Sequence, residues 1–406
     1  MMTPGQRDRQ HGSPGPRSDG PTLVSLAAVT WRFPLVGRTR MLSEAWAEMG
    51  VRNIFVQSAS VRNMAERLTG REDVDGIVVR PLAGWPGQFA RVLSRRAQAA
   101  WARVAAGELR EQLDPLIAWE KAVALVTTPA WTPWLERLPF AGVIYDCIDD
   151  VAIHAKNAAH LDVLLEWERS LLGRCDAVTA SADLLLERAR RLRRELGLPP
   201  ATERVIRNGV NLARFDADRT FATPADMPRT GRPVVGFVGA LAEWIDWGLI
   251  ESVARLLPES DFVFVGPWVR SAPIERLSRL TNVVFLGPRP YEQVPAYMAS
   301  FDVAWVPFDR SAISAAANPV KIYEYLALGL SVVTTPVADV ELLRSVCRLG
   351  ADDESVAREL RLALRDGASG REQRIAFARS NSWASRAQEM AGVAASLTQG
   401  DEARQH

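Results

Sequence analysis

The chain has few of the residues that build disulfide frameworks, metal centres or membrane spans. Its 406 residues include three cysteines, Cys147, Cys175 and Cys347, which are widely spaced and form no Cys-x-x-Cys pair. This pattern excludes a disulfide framework and a zinc site of the usual spacing, and it indicates a reducing compartment. No apolar run reaches the roughly 20 residues of a membrane-spanning helix, and the N-terminus lacks a signal-peptide pattern. We therefore expect a cytoplasmic protein.

Neither sign of charge dominates, and histidine is scarce. The 49 basic and 48 acidic residues leave a formal charge of +1, so nothing in the overall charge indicates nucleic-acid binding, which requires a strongly basic face. Two of the four histidines, His11 and His406, lie in the terminal segments, so no Ser-His-Asp constellation is evident. The length exceeds what one hydrophobic core usually supports and predicts two domains.

Lysine is also rare, which draws attention to Lys321 among only three lysines. The surrounding sequence predicts a helix with Asn318 as N-cap, Pro319 as first helical residue and Gly329 as C-terminal stop. Lys321 then lies in the first turn, where the helix dipole favours carboxylates over cations. A diphosphate on the free N–H groups of that turn would explain the lysine, and Glu324, one turn on, could accept two hydroxyl hydrogen bonds. The alternative is a surface ion pair between Lys321 and Glu324 without a ligand.

Composition divides the chain into two tails and two α/β halves. Residues 1–20 are rich in Gly, Pro, Arg and Asp, which predicts a disordered tail, and residues 399–406 form a second, polar tail. Apolar runs of strand length alternate with helical patterns over residues 21–215 and again over residues 216–380. This alternation predicts two doubly wound, Rossmann-like domains. A last helix follows over residues 381–398.

The predicted strands are short apolar runs that suit buried parallel sheets. In the first half they are Leu23–Val29, Ile54–Gln57, Gly76–Val79, Ala122–Thr127, Gly142–Tyr145 and Ala177–Ala180. In the second half they are Val234–Gly239, Phe262–Gly266, Val283–Leu286, Val303–Pro307 and Val332–Thr335. Between the halves, Arg204–Asn211 predicts a short strand followed by an Asn-Gly turn. Because open α/β sheets bind ligands beyond the carboxyl ends of their strands, the residues that follow these strands are the candidates for a site.

Several motifs, taken in order, resemble one enzyme family. They are Val143–Asp150, Val205–Val210, Gly236–Gly239, Val303–Phe308, Asn318–Pro336 and Ser382–Trp383. Over about residues 22–395 they resemble the GT-B glycosyltransferases of the family 4 type, particularly bacterial members of polysaccharide and glycoconjugate assembly. The resemblance implies two Rossmann-like domains facing a central cleft, with the last helix returning to the first domain. It also implies that the second domain binds a nucleotide-diphospho-sugar and that the first presents a hydroxyl of a glycan or lipid-linked acceptor.

The resemblance assigns roles to residues of the second half. Glu324 would bind the ribose hydroxyls of the nucleotide, and Lys321 would stabilise the departing diphosphate. The turn that ends at Gly239 follows a strand, where bare backbone lets phosphate approach closely, although a tight turn alone would also need glycine. Arg289 and Tyr291 follow another strand and are either contacts for the base or diphosphate, or surface residues.

The chain departs from the family pattern at two places near the donor. The best-known members hold the donor with an acidic pair separated by seven residues; Glu324 matches the second acid, while the first position falls on Ala316. Those members also carry an Arg and a Lys just after the Gly-rich turn, whereas this chain continues from Gly239 without either. Lys321 would then carry the phosphate charge alone or with Arg289. Asn318 either caps its helix or contacts the sugar.

Three aspartates end one predicted strand of the first half. Asp146, Asp149 and Asp150 lack the acid-x-acid spacing that would hold a divalent metal against a diphosphate, so we expect a metal-independent enzyme without a bound cofactor. Asp149 is the candidate to contact the acceptor or to act as general base. An inverting transfer requires such a base and a retaining transfer does not, and both outcomes stay open. The alternative for one of the three is helix capping.

The segment from Trp85 to Arg110 mixes aromatic and cationic side chains at partly helical spacing. Since the first domain of this fold class meets the acceptor, the segment is a candidate for peripheral contact with the inner face of the membrane and a lipid-linked acceptor. The alternative is a solvated basic helix packed by its aromatics.

Two other function classes stay open beside the glycosyltransferase. One is a sugar-nucleotide-binding or scaffold protein that has lost catalysis, suggested by Ala316. The other is a sugar-nucleotide epimerase on the same fold, which would form product from the donor without an acceptor.

Overall fold

The computed structural model describes residues 20–31, 36–58, 72–74, 77–82, 104, 106–155 and 157–399. The two predicted tails lie outside the described residues apart from Gly20 and Gln399, and so does most of the segment from Trp85 to Arg110. Their predictions stay predictions. Among the described helices, none combines the length and the apolar character that crossing a bilayer demands.

The first domain contains a sheet of eight strands in the described part of the chain. Their bounds are β1 (Thr22–Leu26), β2 (Asn53–Ser58), β3 (Glu72–Val74), β4 (Ile77–Leu82), β5 (Ala122–Val126), β6 (Gly142–Cys147), β7 (Ala177–Ala180) and β8 (Thr202–Val205). The order is β3-β4-β2-β1-β5-β6-β7-β8, and only β3 runs antiparallel to its neighbour. Every residue of β1, β5 and β6 is buried, as expected of a parallel sheet covered on both faces.

The second domain contains a parallel sheet of six strands in the same description. Their bounds are β9 (Val234–Val238), β10 (Asp261–Val265), β11 (Val283–Gly287), β12 (Val303–Val306), β13 (Ser331–Thr334) and β14 (Arg348–Leu349). The order is β11-β10-β9-β12-β13-β14. The chain runs outward from β9 to β11 and then crosses back to β12, on the other side of β9. Such a reversal opens a crevice at the carboxyl ends of β9 and β12.

Helices cover both sheets. They are α1 (Arg38–Glu48), α2 (Thr132–Leu135), α3 (Ala158–Arg174), α4 (Asp183–Glu195), α5 (Trp247–Leu256), α6 (Ile274–Leu277), α7 (Val294–Met298), α8 (Ala312–Ala316), α9 (Val320–Ala327), α10 (Val340–Leu343), α11 (Asp353–Asp366), α12 (Arg371–Ser380) and α13 (Trp383–Gln399). Residues 106–113 are also helical. Local capping sets several starts: the Asp246 carboxylate, for example, accepts the Leu249 N–H at 2.8 Å and begins α5.

The last helix returns to the first domain, as expected. Trp383 and Met390 of α13 lie in one buried cluster with Met41 and Trp46 of α1. The Trp46 indole N–H donates to the carbonyl of Ala387 at 2.8 Å. Helix α13 is therefore part of the first domain's core.

The predicted Asn-Gly turn between the domains is wrong. Val210 instead forms a parallel bridge with Ser382, at the start of α13. A Cβ on Gly209 would lie 2.8 Å from the carbonyl carbon of Ser382. Glycine is needed here because the inter-domain connection lies against the start of α13, and not because the chain turns.

Candidate active site

A cavity of about 400 Å³ opens between the two domains. The first-domain wall includes Gly37 and Arg38 at the start of α1, and Asp149 after β6. The second-domain wall comes from residues that follow β9, β10, β11 and β12 and from the segment that leads into α9. The cavity therefore lies where the carboxyl ends of the parallel strands predict a ligand site.

Lys321 and Glu324 both lie on α9, and of the two Lys321 lines the cavity while Glu324 lies behind it. Lys321 is in the first turn, as predicted, but the helix begins at Val320, with Pro319 rather than Asn318 as its N-cap. The Lys321 ammonium lies 2.6 Å from Oε2 of Glu324. Lys321 lines the cavity, whereas the Glu324 carboxylate is only 2% exposed.

Tyr291 holds the other oxygen of Glu324. Its hydroxyl donates to Oε1 at 3.1 Å, and its ring lies under the Lys321 ammonium at 5.7 Å and the Arg214 guanidinium at 4.7 Å. Burial, followed by the negative charge of Glu324, raises the pKa of the Tyr291 hydroxyl far above its ordinary value. Both carboxylate oxygens of Glu324 thus already have hydrogen-bond donors from the protein.

The predicted N-cap role of Asn318 is wrong because other groups use its side chain. Its Oδ1 accepts the backbone N–H of Asn208 at 3.1 Å. Its Nδ2 donates to the Tyr323 hydroxyl at 3.0 Å and to Asp339 at 3.2 Å. Asn318 is 5% exposed and still lines the cavity, so contact with a sugar stays a prediction.

Bare backbone forms part of the second-domain wall. Gly239, after β9, and Gly266, after β10, both line the cavity. Gly266 has a φ of 148°, and a Cβ there would lie 1.9 Å from the carbonyl oxygen of Gly239. The two strand ends approach so closely that only glycine fits at position 266.

Arg289 lines the cavity and is fixed from behind. Its Nε donates to the Tyr297 hydroxyl at 2.7 Å, and its Nη2 donates to Asp226. The Tyr297 hydroxyl in turn donates to Asp226 at 2.9 Å. Hydrogen bonding to Arg289 lowers the pKa of the Asp226 carboxyl, which stays ionised and holds the guanidinium in place.

The three aspartates after β6 have three different environments. Asp146 is fully buried and makes two hydrogen bonds with Arg38, at 2.8 and 3.1 Å. Asp150 accepts the Ala152 N–H at 2.9 Å and caps a short turn, so capping is its role. Asp149 lines the cavity. Burial raises its pKa to about 6, with Arg38 opposing the rise and Asp150 adding to it.

Sequence reasoning missed Arg38, a cation in the first-domain wall. Arginine is too common in this chain for one to stand out, and its partner Asp146 is distant in sequence. The one available signal was Gly37, which precedes the helical pattern of α1 and is its N-cap.

The position where the family pattern places a first acid does not face the cavity. Ala316 is 5% exposed and packs in the apolar cluster of the first domain. Ser314 lines the cavity instead, and its hydroxyl donates to Asp309. Among the described residues, no group of three His, Cys, Asp or Glu side chains is arranged to hold a metal ion.

One family model matches the second domain. Residues 232–366 match the family described as glycosyl transferases group 1. This range runs from β9 to the end of α11 and contains Lys321 and Glu324.

Two curated relatives are glycosyltransferases by name. One relative, from Bacillus subtilis (strain 168), is named as a proposed teichuronic acid biosynthesis glycosyltransferase. It is 29% identical over 238 residues, which are 56% of this chain and 59% of the relative. The 2-deoxystreptamine glucosyltransferase of Streptomyces kanamyceticus is 33% identical over 226 residues, or 48% of this chain and 56% of the relative. The chain thus spans a little over half the length of these relatives.

Solved structures of similar fold cover nearly the whole chain. Sucrose-phosphate synthase of Thermosynechococcus elongatus has a TM-score of 0.70 at 14% identity and covers 94% of this chain and 100% of its own. An Anabaena protein in complex with UDP-glucose has a TM-score of 0.63 at 16% identity, covering 93% and 100%. The α,α-trehalose 6-phosphate synthase of Burkholderia multivorans has a TM-score of 0.67 at 12% identity, covering 95% and 100%. The chain therefore has the GT-B fold, and its second domain matches the group 1 glycosyltransferase family.

Proposed function

We propose that this protein is a glycosyltransferase that moves a sugar from a nucleotide-diphospho-sugar to a hydroxyl of a glycan or lipid-linked acceptor. The observation that carries the proposal is the cavity between the domains, which has a helix start with Lys321 on one wall and Asp149 on the other. The family match of residues 232–366 and the named activities of two relatives support the same reaction class.

In this proposal the donor diphosphate lies against the first turn of α9. The N–H groups of a first turn have no acceptor within the helix and suit an anion. Lys321 and Arg289 add positive charge to the same wall, and bare backbone at Gly239 leaves room for phosphate oxygens. These groups would stabilise the departing diphosphate without a metal ion.

Ribose hydroxyls at Glu324 would compete with the two hydrogen bonds that this buried carboxylate already accepts. Lys321 holds Oε2 of this carboxylate and Tyr291 holds Oε1. When Lys321 turns to the diphosphate, Oε2 becomes free to accept one ribose hydroxyl. Displacement of the Tyr291 hydroxyl frees Oε1 for the second.

The transfer itself makes one bond and breaks one. The acceptor oxygen bonds to the anomeric carbon, while the bond from that carbon to the diphosphate oxygen breaks and its electron pair leaves with the diphosphate. With a pKa of about 6, Asp149 is largely ionised at neutral pH and can take the acceptor proton in an inverting transfer. In a retaining transfer the departing diphosphate would take the acceptor proton, and Asp149 would only position the acceptor.

Thermal-shift measurements with UDP, GDP, ADP, CDP and dTDP test the donor site. We expect at least one of them to stabilise the protein, and Lys321→Ala and Glu324→Ala to reduce that shift. Lys121→Ala, at an exposed lysine of the first domain, is the matched control. The site is wrong if no nucleotide stabilises the unmodified protein or if all variants respond alike. Release of the nucleoside diphosphate from the matching sugar nucleotide then distinguishes an enzyme from a protein that only binds.

A further inference from the structure

Asn208, on the connection between the domains, is a buried centre of hydrogen bonds that reach three separate elements. Its N–H donates to Oδ1 of Asn318 at 3.1 Å, and its Nδ2 donates to the Asn318 carbonyl at 2.7 Å. Its Oδ1 accepts from Nη1 of Arg38 at 3.2 Å. Its carbonyl accepts from Nε of Arg386 in α13 at 3.4 Å. Asn208 is 9% exposed, so water cannot easily replace these partners.

The two side-chain partners of Asn208 belong to opposite walls of the cavity. Arg38 lies in the first-domain wall, where its charge lowers the pKa of Asp149. Asn318 lies in the second-domain wall, three residues before Lys321. Asn208 therefore connects Arg38, in the wall that carries the proposed base, to the segment that carries the proposed diphosphate site.

This connection is stiff because Asn318 is held from its other side as well. Its Nδ2 donates to Asp339 at 3.2 Å. Asp339 also accepts two hydrogen bonds from Arg207, at 2.9 and 3.1 Å. Two adjacent residues of the connection, Arg207 and Asn208, are thus hydrogen-bonded to Asp339 and Asn318, which also bond to each other. A shift of one wall relative to the other would break several buried hydrogen bonds together.

We propose that Asn208 is a positioning residue that holds the donor-side start of α9 and the acceptor-side Arg38 at a set separation across the cavity. Asn208 itself lines the cavity, but both polar atoms of its side chain are held by Asn318 and Arg38, so we assign its effect to these two partners. The inference rests on the proposed function for its catalytic meaning, while the structural link is testable without any ligand.

The first test measures the separation of the domains directly. Spin labels are attached at Glu195→Cys in the first domain and at Glu259→Cys in the second, since both positions are exposed. The three native cysteines are buried and should not be labelled. Pulsed electron paramagnetic resonance should give a narrow distance distribution in the otherwise unmodified chain and a broadened one in Asn208→Ala. The matched control is Asn282→Ala, which removes a buried Asn that donates to three carbonyls of the second domain, away from the cavity. An unchanged distribution in Asn208→Ala overturns the proposal.

The second test asks whether the link matters for the reaction. We expect Asn208→Ala to lower kcat/KM for release of the nucleoside diphosphate from the sugar nucleotide by about tenfold or more. Asn282→Ala should lower the melting temperature with kcat and KM unchanged. Asn208→Asp keeps the acceptor for Arg38 but places a carboxylate oxygen against the Asn318 carbonyl, so it should not restore the activity. Asn208→Ala and Asn318→Ala should be non-additive when combined. Equal kinetics in Asn208→Ala and Asn282→Ala overturn the positioning role. If no nucleotide binds the unmodified protein, the proposed function fails and the distance measurement alone decides whether Asn208 holds the walls.

Discussion

The hydroxyl oxygen of Tyr291 lies 3.1 Å from Oε1 of Glu324, at the seam between the two domains. The same hydroxyl is 4.0 Å from the sulfur of Met41 in α1, and Arg214 of the inter-domain connection lies over the ring. One side chain thus connects the first domain and the connection to the carboxylate proposed to bind ribose. The tyrosine that donates to Glu324 thus contacts both the first domain and the inter-domain connection.

Tyr291→Phe should sharpen the preference for ribose. The change removes the O–H that holds Oε1 of Glu324, so this oxygen becomes free for a sugar hydroxyl. We expect the ratio of affinities for UDP over 2′,3′-dideoxy-UDP to rise about threefold to tenfold, measured by calorimetry with whichever base binds best. The control is Tyr297→Phe, because the Tyr297 hydroxyl contacts Arg289 and Asp226 and not Glu324. This variant should change the affinities for both ligands by the same factor. A fall in the ratio would mean that the Tyr291 hydroxyl orients the Glu324 carboxylate for ribose rather than competing with ribose for Oε1.

Lys321→Ala should weaken both stability and diphosphate binding. It leaves the buried Glu324 carboxylate without its cation, which we expect to lower the free energy of unfolding by about 2 kcal/mol. The double variant Lys321→Met/Glu324→Gln removes that buried charge and should recover most of the stability in urea unfolding. It should still fail to bind inorganic pyrophosphate. Pyrophosphate binding by the double variant at the original affinity would contradict the role of Lys321.

Activity should rise with pH through about 6 if Asp149 is the base. Its pKa is raised from 3.8 to about 6, and only the ionised form accepts a proton. The acidic limb of the kcat/KM profile should therefore lie near pH 6 and disappear in Asp149→Asn together with most of the activity. A limb that survives in Asp149→Asn would assign the base elsewhere.

The same raised pKa has an opposite effect on stability. The folded chain keeps a proton on Asp149 that the unfolded chain loses above its ordinary pKa, so this contribution is complete below 3.8 and is lost as pH rises through about 6. Asp149→Asn should therefore be more stable than the parent at pH 8 by about 1 to 3 kcal/mol, and by much less at pH 4. Urea unfolding at the two pH values measures the difference. Equal differences at both would contradict the buried carboxyl.

Gly266→Ala should disrupt the second-domain wall. The added Cβ would lie 1.9 Å from the Gly239 carbonyl oxygen at a φ of 148°, so the strand ends must move apart. We expect a loss of about 3 kcal/mol or more and loss of nucleotide binding, measured by urea unfolding and thermal shift. Gly392→Ala, in α13 with open space around its Cβ position, is the control and should raise stability by about 0.5 to 1 kcal/mol. Similar stabilities for the two variants would contradict the close approach.

Most strands of the fold could be predicted from the sequence, because short apolar runs indicate strands that are buried in a parallel sheet. Each predicted strand overlaps an observed one, and Lys321 lies in a first helical turn as predicted. The strands missed were β3 and β14, which lie at sheet edges and are short and partly polar. An edge strand is held by backbone hydrogen bonds to one neighbour, and its side chains need not be apolar.

The candidate site was predictable only in part, since most of its contacts join residues far apart in sequence. Arg38 meets Asp146, and Asn208 meets Asn318, each across more than one hundred positions. Local capping rules predicted that the Asn318 side chain caps the helix. In the structure its Oδ1 accepts the backbone N–H of the buried Asn208 instead. Ala316 fits this pattern as well, because its neighbours in the first-domain core are distant in the chain.

The amino-acid sequence by itself determined the two α/β halves, the places of their strands and a lysine at the start of α9, because periodicity, capping and dipole effects act over a few residues. Only the tertiary structure decided that Tyr291 and Lys321 share Glu324, that Asp149 is the aspartate in the cavity and that Asn208 joins the walls. Those relations depend on burial and on the meeting of two domains, and both arise when the whole chain is packed.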